Sequence, residues 1–71
     1  MKKNEDLIIF GHNLKVERTR QKLSQEALAA KIGMQMQHLS KIEKGQSDIK
    51  FSTLTAILNG LGVNFYDLYK A

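Results

Sequence analysis

The sequence predicts an all-α protein, a compact bundle of five helices, and three features carry that expectation. Apolar residues recur at spacings of three and four, as one face of a 3.6-residue helix requires. No stretch alternates apolar and polar residues for long enough to make a strand, and there is no proline. All five glycines (Gly11, Gly33, Gly45, Gly60 and Gly62) fall near expected element boundaries or turns.

A first helix is expected from about Leu7 or Gly11 to Gln21, with Phe10 and Leu14 on one face at i, i+4. Ser24 can cap the second helix, which runs over Gln25–Ile32 with Leu28, Ala29 and Ile32 inward. Gly33 follows as a left-handed corner. The third helix begins near Gln35 and ends before Gly45, with Leu39 and Ile42 inward. The fourth starts around Ile49–Phe51, capped by Ser47 or Asp48, and carries Phe51, Leu54, Ile57, Leu58 and Leu61 in helical rhythm. The last opens at Asn64, with Asp67 placed to bond back as in a capping box, and with Val63 and Leu68 in the core.

Seventy-one residues are enough for one domain. Residues 1–6 read as a flexible end and 7–71 as the domain. A chain this short buries only about 60% of its unfolded surface, so a partner chain would help it. There is no cysteine, and His12 and His38 are too few for a zinc site, so neither metal nor cofactor is expected. The longest apolar run, Leu7-Ile8-Ile9-Phe10, is far short of a membrane span, and no signal peptide precedes it. A soluble, cytoplasmic protein is expected. The net charge of +4, from 11 Lys+Arg against 7 Asp+Glu, suits a polyanionic partner, but solubility alone would explain it equally well. No Ser/His/Asp set, phosphate-cradling glycine loop or metal constellation argues for an enzyme, and no small-molecule ligand is evident.

Around the glycine corner the chain reads Leu23-Ser24-Gln25-Glu26-Ala27-Leu28-Ala29, then Ile32-Gly33-Met34, then Leu39-Ser40-Lys41-Ile42-Glu43-Lys44-Gly45. This resembles the phage-repressor/Cro-like (XRE) helix-turn-helix family: a leucine-(Ser/Thr)-Gln opening, an Leu-Ala pair, a glycine turn and an I-S-x-x-E-x-G ending. The similarity extends through Phe10-Gly11-His12-Asn13-Leu14-Lys15 and Arg18 upstream. Downstream it takes in Leu54, Ile57, Leu61, Val63 and Leu68, and so covers roughly residues 10–69.

The resemblance implies double-stranded DNA as partner and assigns roles. Ser24 and Gln25, at the amino end of the second helix, meet a phosphate there, where the helix dipole and free amides favour an anion. Alone, Gln25 would read as a solvated helix-start residue; the family context favours the phosphate. Arg18 and Glu43 match a buried or half-buried salt bridge that ties the first helix to the end of the third. Gln35, Met36, Gln37 and Lys41 are turned toward the major groove. There Gln37 suits adenine, Lys41 guanine, and Met36 a thymine methyl. His38 is left open between a phosphate and the side of the fourth helix, while Lys44, Gln46 and Lys50 flank the groove.

Some positions depart from the family pattern. Lys22 stands where relatives often have glycine, Glu17 where they have an apolar residue, Ile49 near a usual proline and Gln35 at a usual Ser or Thr cap. Met36 replaces a glutamine that bridges to a base in relatives, so no operator sequence carries over. Phe65, Tyr66 and Tyr69 on the last helix either lid the core or form a two-fold interface. The need for a second half-site favours a homodimer on a pseudo-palindromic operator, acting as a repressor or similar regulator. An antitoxin or adaptor that binds chiefly protein is the alternative. It ranks second because no toxin-gripping segment follows Ala71.

Overall fold

A computed structural model describes residues 5–69 as five helices: α1 (Glu5–Arg20), α2 (Gln25–Ile32), α3 (Met36–Glu43), α4 (Phe51–Leu61) and α5 (Phe65–Tyr69). No strand occurs among the described residues. α1 starts at Glu5, ahead of the expected Leu7 or Gly11. Glu5 and Asp6 form its first turn, where carboxylates meet the positive end of the helix dipole. Of the segment expected to be a flexible end, residues 5 and 6 are therefore helical, and 1–4 lie outside the described residues.

Phe10, Leu14, Leu28, Ala29, Leu39, Ile42, Ile57, Leu61 and Leu68 form one buried core, joined at its edge by Leu23, Ile32, Met34, Ile49, Leu54, Leu58 and Val63. α1 packs against α3 and α5, and α2 against α3 and α4. Phe51 departs from the fourth helix's apolar rhythm. As the first residue of that helix it lies beyond the core and is 78% exposed.

The turns explain how eight-residue helices hold their ends. Ser24 Oγ accepts from the Ala27 amide at 2.9 Å, as a cap should. Gly33, at φ 72°, lets the Met34 amide reach back to the Ala29 carbonyl at 2.8 Å, which closes α2 and redirects the chain into α3. Asn64 and Asp67 bond reciprocally, each backbone amide to the other's side chain at 3.1 Å. Neither Ser47 nor Asp48 caps α4. The helix starts at Phe51, with Lys50 in the cap position and no side-chain cap bond, and Ser47 Oγ donates to the Asp48 carbonyl instead.

Of the glycines, Gly11 alone lies far from an element end. Gly60 lies within α4 against Ile32, and Gly11 lies within α1. A Cβ at Gly11 would stand 2.2 Å from the Ile42 carbonyl oxygen and 2.8 Å from that of Glu43, so the glycine sets how closely α1 approaches the end of α3. Polar side chains along the rim of α1 then hold the last two helices. Asn13 Nδ2 donates to the Leu68 carbonyl at 2.9 Å and Gln21 Nε2 to the Leu61 carbonyl at 2.8 Å. Gln21 also donates to Glu17, whose carboxyl is pushed down to about 2, first by its hydrogen bond from Arg20 and then by this one.

Gly11→Ala should therefore destabilise the fold by about 3 kcal/mol or more in urea unfolding, because rigid backbone must move. Gly33→Ala, where the added Cβ meets nothing within 4 Å, should cost only about 1–2 kcal/mol from its left-handed backbone. Equal losses would show that the α1–α3 approach is not limiting.

Candidate nucleic-acid interface

The site is built outward from one buried ion pair. Arg18 Nε donates to Glu43 Oε2 at 2.6 Å and Nη2 to Oε1 at 3.1 Å, a two-pronged contact between residues only 8% and 7% exposed. Arg18 Nη1 adds a 2.7 Å bond to the Leu23 carbonyl, which pins the turn before α2. Gln25 Nε2 donates to Glu43 Oε1 at 2.9 Å. The ion pair at the end of α3 thus collects α1, the α1–α2 turn through Arg18, and the start of α2 through Glu43. No buried side-chain nitrogen or oxygen among the described residues lacks a partner.

This bracing settles how Gln25 presents itself. Because Glu43 can only accept, Gln25 must turn its nitrogen inward, which leaves its carbonyl oxygen and one N–H for an outside partner. The phosphate role implied by the resemblance is thereby narrowed to that single side-chain N–H, beside the backbone amides that open α2.

α3 buries Leu39, Ile42 and Glu43. At 100° per residue the direction opposite these three is occupied by Gln37, Lys41 and Lys44, all exposed. Met36, 43% exposed, and half-buried Ser40 lie on the flank nearer Glu43. His38 falls on the other flank, where it lines a hollow of about 440 Å³ with Gln35, Ser52, Thr53 and Ala56. His38 therefore lies beside α4 while its ring stays exposed, a position compatible with both alternatives open in the sequence. Gln35 occupies the cap position of α3 without a side-chain cap bond, and its side chain stays exposed. Gln46 and Lys50 are exposed on the connection to α4. Lys41, Lys44 and Lys50 make this side cationic, tempered by exposed Asp48.

The aromatic residues of α5 are only partly free. Phe65 stacks between Phe10, at 6.2 Å between centroids, and Tyr69, at 5.1 Å. Tyr69 Oη donates to Asp6 Oδ1 at 2.8 Å, which pushes the phenol's pKa up. Tyr66 is 80% exposed. The rim bonds of Asn13 and Gln21 and the Tyr69–Asp6 bond had no signal in sequence spacing, since each joins residues 40 or more apart.

No cluster of three His, Cys, Asp or Glu able to hold a metal occurs among the described residues. No described helix is long and apolar enough to cross a membrane.

A capped short helix, a left-handed glycine corner and a second short helix with a polar outer face, braced by a buried ion pair, constitute a helix-turn-helix. A model of the helix-turn-helix family matches residues 14–68, and the chain belongs to that family of DNA-binding transcriptional regulators, which are not enzymes. It is 34% identical over 67 residues to control protein C.MunI from Mycoplasma sp, a match covering 93% of this chain and 90% of that one. Its fold matches the restriction-modification controller protein C.AhdI from Aeromonas hydrophila with a TM-score of 0.87 at 29% identity, over 93% of this chain and 100% of that one. It also matches the clp gene regulator ClgR from C. glutamicum with a TM-score of 0.88. That match is 19% identical and covers 96% of this chain and 87% of that one, a likeness of fold alone.

Removing either member of the buried pair should strand the other. Arg18→Ala and Glu43→Ala should each cost about 3–5 kcal/mol, and the double variant should lose less than the sum. Unchanged melting temperatures for both single variants would show that the pair carries no structural weight.

Proposed function

We propose that this protein is a sequence-specific regulator of the controller type associated with restriction-modification genes, binding double-stranded DNA as a homodimer in the cytoplasm. The observation that carries this is the outer face of α3. The side chains of Gln37, Lys41 and Lys44 point away from the core with no hydrogen-bond or ion-pair partner among the described residues, on a helix held rigid from beneath by Glu43. The two relatives named as control or controller proteins match over nearly the full length of both chains, which supports the same physiological class.

In this reading α3 enters the major groove. Gln37 and Lys41 take base edges, with Met36 against a thymine methyl. Ser24, Gln25 and the opening amides of α2 meet one phosphate, and Gln35, His38, Lys44, Gln46 and Lys50 flank the groove. Two copies place their α3 helices in successive major grooves about 34 Å apart. The exposed side of α5 supplies the contact between copies, with Phe65, Tyr66 and Tyr69 at its centre.

Selection from a random DNA pool should yield a pseudo-palindrome. On that duplex Gln37→Ala and Lys41→Ala should each lose about 1–3 kcal/mol, with much smaller losses on scrambled DNA. Gln25→Ala should weaken both about equally. If the α3 variants lose as much on scrambled DNA, that face does not read sequence.

The dimer is best probed at Tyr66, because Tyr69 is tied to Asp6 within its own chain. Tyr66→Asp should shift sedimentation from dimer to monomer, weaken operator binding and remove the concentration dependence of the melting temperature, while helical content is kept. A variant that still sediments as a dimer would move the interface off α5.

A further inference from the structure

The four longer helices all end in one way. The amide of Leu23, Met34, Gln46 and Val63 reaches back five residues, to the carbonyls of Arg18, Ala29, Lys41 and Leu58, at 3.1, 2.8, 3.0 and 3.1 Å. This closure forces the preceding residue into the left-handed region. Gly33, Gly45 and Gly62 fill it at φ 72°, 72° and 69°, but the first turn has Lys22, at φ 61°. There the Cβ crowds the following carbonyl, a penalty the three glycines escape. No side-chain hydrogen bond or ion pair of Lys22 offsets it among the described residues, and the residue is exposed. Strain that nothing inside the molecule compensates points to a use outside it.

The position of the turn indicates what that use is. The Leu23 carbonyl is held by Arg18, Ser24 caps α2, and Gln25 is held by Glu43, so Lys22 sits on a fixed piece of chain. It precedes Gln25 by three residues, a span of at most about 10 Å. We infer that Lys22 is a DNA-backbone contact, its ammonium pairing with a phosphate beside the one met by the start of α2, and that this contact is why a lysine rather than a glycine closes α1. The inference rests on the DNA-binding reading above. A flexible cation on a rigid turn adds affinity without reading sequence, which complements the base-reading face of α3.

The test uses the full chain on a pool-selected duplex and a scrambled one, over a range of salt. Lys22→Gly and Lys22→Asn, both tolerant of the left-handed region, should melt several degrees higher than the parent. Both should bind each duplex roughly threefold to tenfold more weakly near 0.1 M salt, with the salt slope reduced by about 0.9 per protomer. Lys22→Arg should keep the parent's melting temperature, affinity and slope. Lys31→Gln, which removes the same charge at the far end of α2, should leave the slope unchanged. Lys22→Gly and Lys22→Asn proteins that bind like the parent would overturn the contact. So would a Lys31→Gln loss as large as theirs, which would trace the effect to net charge. Weaker binding with no gain in melting temperature would overturn the link between strain and contact. A parent protein that binds neither duplex would sink the DNA-binding reading itself, a failure distinct from one confined to Lys22.

Discussion

A guanidinium and a carboxylate withdrawn from water are tolerable only together, and the Arg18–Glu43 pair places that condition at the centre of the molecule. Such a pair adds little net stability compared with apolar residues of similar volume; its value lies in direction. Two parallel hydrogen bonds fix the angle between α1 and the end of α3, and the third arm of Arg18 fixes the turn that launches α2. Gly11 works to the same end from the other side, since only a missing Cβ lets the α1 backbone lie against the last carbonyls of α3. α3 is thus held at its carboxyl end by charge geometry and by close backbone contact. Its outward residues are left with no structural task.

In the proposed reading, that division of labour lets a short chain read DNA. Residues that brace have satisfied partners inside the molecule: Arg18, Glu43 and one donor of Gln25. Residues on the outer face of α3, notably Gln37 and Lys41, keep their donors and acceptors unengaged. Gln25 stands between the groups, since the bond that orients it also limits what it can offer a phosphate. The nine buried apolar residues among those described make a modest core, and the rim bonds from Asn13 and Gln21 to the ends of α5 and α4 compensate in part. Phe51 and Tyr66 stay largely exposed, apolar area left outside the core.

The sequence by itself determined the helices and the class. Apolar spacing marked Phe10, Leu14, Leu28, Leu39 and Ile57 as inward, Ser24 as a cap, Gly33 as the corner and Asn64–Asp67 as a reciprocal cap, because each of these signals is local. The Arg18–Glu43 pair was legible too, but only through resemblance, since nothing in a 25-residue separation announces contact. What tertiary structure alone decided is everything that depends on which surfaces meet. Gly11 looked like a boundary glycine until α3 was placed against it. Ser47 and Asp48 looked like caps until packing began α4 at Phe51. His38 acquired a neighbour only when α4 closed over the corner, and Tyr69, apparently free, was claimed by Asp6 from the other end of the chain. Local pattern specifies an element; which of its side chains stays free for a partner is set by the neighbours that the fold brings to it.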